Sequence, residues 1–179
     1  MNHAAQTLLE RIQRDGCVTG EVIKVDRFLN HMVDPQLIDL LAADIATRFI
    51  DQKIDKILTA ETSGIILAQP VAGMLGVPYV FAKKKQPRTM TDSYEAASYS
   101  FTKQESTTFY VAKEMLNAGE RLLFIDDFFA KGATLKAMEE IIRQARAELI
   151  GTAVIINKSA RRDIESILTL DELQNQIWV

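Results

Sequence analysis

"FIDDFFAKGAT" (residues 124–134) is the stretch on which the fold turns. An apolar run, Leu122 to Ile125, ends in two acids, Asp126 and Asp127. Gly132 and Thr134 follow, and a helical pattern starts at about residue 133. A short apolar run bounded by a turn reads as a buried strand. A buried strand that turns tightly into a helix reads as part of a βαβ unit. The turn also carries chemistry. In "AKGAT" a Gly sits where the backbone must turn closely, and a helix N-terminus follows at once. Backbone N–H groups and the helix dipole there form an anion site. Thr134 adds a hydroxyl donor. Two carboxylates beside such a cradle suit a sugar phosphate: the acids accept from ribose hydroxyls while N–H groups hold the phosphate. The plainer alternative is that the acids only cap the helix.

Outward from this stretch, strands and helices alternate. Leu8, Leu9 and Ile12 mark a first helix that Gly16 can stop. "EVIKV" (21–25) reads as a strand. Asp34 and Pro35 form a strong helix start, the acid at the N-cap and the proline at the first helical position. Leu37, Leu40, Leu41, Ile45 and Phe49 continue that helix. "KILTA" (56–60), "PYVFAK" (78–83), "RLLFIDD" (121–127) and "LIGTAVIIN" (149–157) read as strands, most of them buried. A helix is expected over about 65–75, with a kink or late start at Pro70, and another over about 133–147. "SYSFT" (98–102) and "TTFYVA" (107–112) look like alternating strands. Thr169 and Glu172 stand at capping-box spacing. Alternation with apolar strands predicts an α/β fold, a mainly parallel sheet covered on both faces. No linker divides the chain, so residues 1–179 read as a single domain.

Composition excludes several classes. The chain is 47% apolar and 25% charged, with a net charge of -3. That is an ordinary globular make-up with no electrostatic footprint for nucleic acid or anionic membrane. The first residues carry charges through their apolar pattern, unlike a signal peptide, and no apolar run is long enough to span a bilayer. Cys17, the lone thiol, reads as a packing residue, and a reducing cytoplasm is the economical location. His3 and His31 are too few and too far apart for a metal cluster. Neither a G-x-x-x-x-G-K-[ST] loop nor a G-x-G-x-x-G fingerprint occurs.

In an open α/β sheet, ligands bind beyond the carboxyl ends of the strands. "ETSG" (61–64), "DDFFAKGAT" and "NKS" (157–159) occupy such ends, and "VDRFLNH" (25–31) follows the first strand. "ETSG" is a second small polar turn suited to a second phosphate. The polar stretch 84–96 shows no clear period and reads as an active-site cover, bordered by Lys83, Lys84 and Lys85.

Apolar residues, two acids, two more apolar residues and "AKGAT" resemble the phosphoribosyl-pyrophosphate (PRPP) motif of type I phosphoribosyltransferases. Lys131 and Ala133 replace the Thr and second Gly of its common form. "VIKVDRFLNHMVDP", "ETSGI", "GVPYVFAKKK", "YSFTKQ" and "NKS" extend the resemblance, in order from about residue 8 to 160, to the bacterial xanthine phosphoribosyltransferases. The resemblance implies a type I fold with a small N- and C-terminal hood and a flexible loop, 84–106. It implies that Asp126 and Asp127 hold the ribose hydroxyls. Ala130, Lys131, Gly132, Ala133 and Thr134 would cradle the 5-phosphate. Glu61, Thr62, Ser63 and Gly64 would form the pyrophosphate loop, with Lys84 also at PRPP. Ile23, Asn30 and Lys158 match purine-contacting positions. Mg2+ would bind mainly through PRPP or pyrophosphate, with no dedicated protein metal site. Ile23 stands where Leu is usual and Asn157 where Glu is common. After Arg162 the chain is shorter than the family pattern, a strand-like segment being missing before "ESILTLDEL" (165–173).

The implied activity is transfer of the phosphoribosyl group from PRPP to xanthine, in a homodimer. The rivals are a guanine/hypoxanthine or adenine enzyme of the same fold, a PRPP-sensing transcriptional regulator, and a catalytically dead binding module. A regulator of this kind carries a separate DNA-binding domain, for which the acidic chain leaves one helix ahead of residue 21.

Overall fold

The computed structural model describes residues 1–100 and 105–177. Helix α1 (His3–Asp15) opens the chain and ends at Gly16, whose N–H donates to the Ile12 carbonyl. A small antiparallel pair follows, β1 (Cys17–Thr19) and β2 (Val22–Lys24). One π-helical turn spans Asp26–Asn30. Helix α2 (Pro35–Phe49) starts as its sequence predicts, with Asp34 accepting from the Gln36 and Leu37 N–H groups. Then come β3 (Lys56–Ala60), α3 (Ser63–Leu75) and β4 (Tyr79–Ala82). A hairpin of β5 (Ser93–Ser100) and β6 (Glu105–Ala112) precedes β7 (Arg121–Phe129). Helix α4 (Ala133–Ala145), β8 (Glu148–Asn157), β9 (Glu165–Thr169) and α5 (Leu170–Ile177) complete the order.

Five strands form one parallel sheet in the order β4-β3-β7-β8-β9. Alternation along β7 assigns its residues to two cores. Leu123 and Ile125 join the core under α1, α2 and α3, with Leu8, Leu41, Ile45 and Leu67. Leu122 and Phe124 join the core under α4 and the hairpin, with Phe109, Met138 and Ile141. From β3 the chain winds to one side through α3 to β4, and from β7 to the other through α4 to β8. The order in which the chain adds strands therefore reverses between the parallel neighbours β3 and β7, and the crevice at their carboxyl ends is where such sheets bind ligands.

Four expectations need correction. The strand near 21–25 is not part of the main sheet; β2 pairs antiparallel with β1 in a separate small layer. The polar stretch 84–96 is not wholly without period: the strand expected at 98–102 already begins at Ser93. In β5, Tyr94, Ala96 and Ser98 face inward while Glu95, Ala97 and Tyr99 are exposed. Small residues carry that alternation, so it scarcely registers as hydrophobic pattern. Gln144 of α4 ties the hairpin down, donating to the Glu95 carbonyl at 2.8 Å and accepting from its N–H at 3.3 Å. Phe101, Thr102, Lys103 and Gln104, part of the family-like "YSFTKQ", lie outside the described residues. Helix α3 starts at Ser63 and carries Pro70 within it. Cys17 is exposed rather than packed, its sulfur 3.5 Å from the Thr19 hydroxyl.

Candidate functional site

The acids do not follow strand β7; they lie within it. Strand β3 pairs with β7 only as far as Ile125, whereas β8 pairs with it to Phe129. The last four residues of β7 thus turn an unpaired edge toward the crevice. Asp126 and Asp127 sit on this overhang. The Asp127 N–H donates to Asp126 Oδ1 at 2.9 Å, and the Phe128 N–H to Asp127 Oδ1 at 2.9 Å. Burial, followed by the neighbouring Asp127 charge, raises the Asp126 carboxyl well above the ordinary carboxylate range, against a smaller pull from Lys84.

Two helices begin at this crevice, and their N-termini differ from the others. Helices α1, α2 and α5 are capped by side chains, from Asn2, Asp34 and Thr169. In α5 the expected capping box is present, Glu172 accepting from the Thr169 N–H at 2.8 Å. Helices α3 and α4 have no side-chain cap and no acid in the first turn. Residues at both N-termini, Thr62 and Ser63 in one and Ala133 and Thr134 in the other, line open cavities, as an anion-binding terminus requires.

One cavity, of about 350 Å³, is lined by Glu61, Thr62, Ser63, Lys84, Asp126, Asp127 and Thr134 together with Ala60, Ser98, Thr107, Phe109 and Phe128. A second, of about 230 Å³, is lined by Ala130, Lys131, Gly132, Ala133 and Thr134, with Asp126, Phe128, Phe129 and residues of β5 and α4. Gly132 adopts φ +75°, the left-handed conformation that glycine tolerates, and turns the chain into α4. Gly64 is buried behind the first cavity. A Cβ placed there would lie 2.3 Å from Thr59 Oγ1 and 3.0 Å from Asp126 Oδ1, so only glycine fits. The "ETSG" turn is fixed to the start of the next loop by Glu61, which accepts from the Lys84 N–H at 2.8 Å.

The structure thus brings together Glu61, Thr62, Ser63, Gly64, Lys84, Asp126, Asp127 and the 130–134 turn. Ile23, Asn30 and Lys158 line neither cavity. Lys158 connects to them through Phe128, which lines both: its ammonium rides over the Phe128 ring at 4.8 Å. That ammonium also donates to the Glu21 carbonyl at 3.0 Å. Burial lowers the Lys158 pKa, opposed by Glu21 and Asp127. Asn30 Oδ1 is buried and accepts no hydrogen bond. Ile23 is buried in β2, opposite Val18. Sequence reasoning missed Ser98, Thr107 and Phe128. The first two form one cross-strand pair of the hairpin; both lie in segments read as strands, but the register that sets them opposite each other has no local signal.

Among the described residues no group of three or more His, Cys, Asp or Glu could hold a metal ion. The carboxylates at the crevice are hard oxygen donors. They suit a Mg2+ that takes most of its ligands from phosphate oxygens and water. No helix among the described residues is long and apolar enough to cross a membrane.

Comparison with known proteins matches residues 24–179 to the phosphoribosyl transferase domain. The xanthine phosphoribosyltransferase of Heliobacterium modesticaldum is 45% identical over 158 residues, 88% of this chain and 84% of that protein. That of Pseudomonas aeruginosa is 45% identical over 154 residues, 85% of this chain and 81% of that protein. Among solved structures, the adenine phosphoribosyltransferase of Rhodothermus marinus superposes with a TM-score of 0.73 at 22% identity, covering 92% of this chain and 99% of that one. At that identity the likeness concerns the fold.

Proposed function

The chain belongs to the phosphoribosyl transferase family, and from that membership we propose that it transfers the 5-phosphoribosyl group of PRPP to xanthine, releasing pyrophosphate and xanthosine 5'-monophosphate. The observation that carries the reading is the pairing of two uncapped helix N-termini, at Ser63 and Ala133, around one acid pair. PRPP has two anionic ends joined by a ribose, and the crevice offers two anion cradles separated by carboxylates.

In this reading Glu61, Thr62, Ser63, Gly64 and Lys84 receive the pyrophosphate. Ala130, Lys131, Gly132, Ala133 and Thr134 receive the 5-phosphate, and Asp126 and Asp127 accept from the ribose hydroxyls. A purine ring nitrogen bonds to C1 of the ribose as the C1–O bond to pyrophosphate breaks. Pyrophosphate leaves with the electron pair, and the nitrogen's proton is lost to solvent. The transition state resembles an oxocarbenium ion, so the protein works through positioning and charge stabilisation. Mg2+ carried on PRPP would lie near the crevice carboxylates and would supply positive charge for the pyrophosphate. Asp126 and Asp127 lie where developing positive charge on the sugar is favoured. The hairpin residues Ser98 and Thr107 roof the first cavity and limit water.

Lys158 and Asn30 set the base. An ammonium is donor-only. With one N–H on Glu21, Lys158 keeps two for a 6-oxo group or N7, but none of them can pair with adenine's amino group. The Asn30 amide carries both a donor and an acceptor, suited to N7 or to an N–H edge of the purine. We further propose a single catalytic domain over residues 1–179, a homodimer, and a cytoplasmic location, with no nucleic-acid or membrane partner. A panel of purines incubated with PRPP and Mg2+, scored for nucleotide, tests the reading. Xanthine is expected first, guanine and hypoxanthine next and adenine last; efficient use of adenine overturns the base assignment.

A further inference from the structure

We propose that Asn157 and Ser159 are positioning residues for base recognition: together they lock the turn that aims Lys158. The inference rests on the assignment of Lys158 to the purine. Asn157 ends the core strand β8 and is 2% exposed, an unusual place for an amide. Its polar atoms are turned onto the loop that follows. Oδ1 accepts from the Ser159 N–H at 2.9 Å and from the Ser159 hydroxyl at 2.8 Å. Nδ2 donates to the Arg161 carbonyl at 2.9 Å. The Ser159 oxygen in turn accepts from the Arg161 N–H at 3.1 Å. This closed set of bonds spans residues 157–161, with Lys158 held between Asn157 and Ser159.

The same turn is fastened to the phosphate side. The Lys158 N–H donates to the Phe129 carbonyl at 2.7 Å. The Arg161 guanidinium lies over the Phe129 ring at 5.4 Å. That ring underlies Gly132, where a Cβ would come within 3.0 Å of it. Each of the two phenylalanines after the acids therefore carries a cation from the 157–161 turn. An Asn or Asp that bonds its own backbone two residues on dictates a local turn. A Lys side chain has four rotatable bonds, so its ammonium is placed only as well as its backbone is. The side-chain bonds of Asn157 stay within the turn, and their effect falls on the turn's shape.

The experiment uses the full-length protein and measures KM for xanthine and for PRPP separately, with thermal melting as a check on folding. Ser159→Ala removes the hydroxyl and with it two hydrogen bonds, to Asn157 Oδ1 and from the Arg161 N–H, and is expected to raise the xanthine KM about five- to thirtyfold, at roughly 1 kcal/mol for each bond. The PRPP KM should stay within about twofold, the scatter of a surface change. Asn157→Asp keeps the acceptor but loses the donor to Arg161, and is expected to raise the xanthine KM as well. Ser159→Thr, which retains the hydroxyl, should restore the value. Lys158→Met is run in parallel. If it raises the xanthine KM while Ser159→Ala and Asn157→Asp do not, the clamp is only a strand terminator and the inference is overturned. Parallel rises in both KM values overturn it too, since they report general loosening. An unmoved xanthine KM in Lys158→Met overturns the base assignment itself, and the clamp with it.

Discussion

The Lys158 ammonium donates to the main-chain carbonyl of Glu21 at 3.0 Å, joining residues 137 positions apart in the chain. The bond ties the turn after β8 to the β1–β2 hairpin, across the open face above Phe128. The ammonium is therefore held by backbone before any base arrives. Such preorganisation limits the entropy lost on binding. Lys158→Met, of similar length, should raise the KM for xanthine by about tenfold or more, a charge-assisted hydrogen bond being worth about 1.5–3 kcal/mol. The PRPP KM should change little. Steady-state kinetics with each substrate varied in turn measures the difference, and equal effects on both would remove Lys158 from the base site.

Asp126 sets function against stability. Its raised pKa means that the folded protein keeps a proton that the unfolded chain has released. Between the ordinary carboxylate value and the raised one, the native state binds more protons than the unfolded state. Stability therefore falls as pH rises through that window, and the full contribution is present only below it. Asp126→Asn, neutral throughout, should melt higher than the parent at pH 7, and the gap should close near pH 3. The same change should raise the PRPP KM by one to two orders of magnitude, equivalent to about 1.5–3 kcal/mol for a lost charge-assisted bond. Asp127→Asn should weaken PRPP as well. Melting curves across pH and PRPP kinetics check both halves; unchanged turnover at low PRPP in both variants would reduce the acids to caps.

Much of this site could be read from the chain because its parts are local. The strand cores of β3, β7 and β8, the Asp34–Pro35 helix start and the Thr169–Glu172 capping box lie within a few residues of their signals. The "AKGAT" and "ETSG" turns are local too. What sequence left unread depends on distant partners. Strand β1 has three residues and exists through its pairing with β2. Strand β9 is five residues long and is recruited by β8. The alternation of β5 is carried by Ala and Ser, whose burial depends on α4 and β6 rather than on their own hydrophobicity. The strand read over 121–127 runs on to Phe129 in the structure, because β8 keeps pairing with it after β3 has stopped at Ile125. The Asn157 clamp gave no signal, since an Asn after an apolar run resembles an ordinary turn.

Gly132 tests the phosphate cradle through backbone conformation. Its φ of +75° strains any residue with a Cβ, and that Cβ would also press on Phe129 Cζ at 3.0 Å. Gly132→Ala should raise the PRPP KM roughly tenfold, since a non-glycine residue in the left-handed region costs about 1–2 kcal/mol. Gly132→Asn should do less damage to folding, because Asn tolerates that region better. Binding of ribose 5-phosphate by calorimetry isolates this end of the site. Full affinity in Gly132→Ala would show that the 130–134 turn does not hold the 5-phosphate.

Gly64 carries a sharper steric test, because the obstacle can be removed. A methyl group at Gly64 meets Thr59 Oγ1 at 2.3 Å, Asp126 Oδ1 at 3.0 Å and the Ile125 carbonyl at 3.3 Å. Overpacking of this kind costs about 1–3 kcal/mol, or a melting temperature lower by several degrees in a chain of this size. Thr59 Oγ1 is buried and makes no hydrogen bond. Thr59→Ala alone should therefore cost mainly its lost methyl contact. In the double variant, Thr59→Ala removes the worst clash but leaves the new methyl against the Asp126 carboxyl. The double variant should then recover part of the melting temperature lost in Gly64→Ala, a favourable coupling between contacting sites. Its PRPP KM should stay high, because the pyrophosphate turn and the ribose acid remain forced apart. Recovery of both melting temperature and PRPP affinity would mean that the close approach of Gly64 to Asp126 serves packing alone.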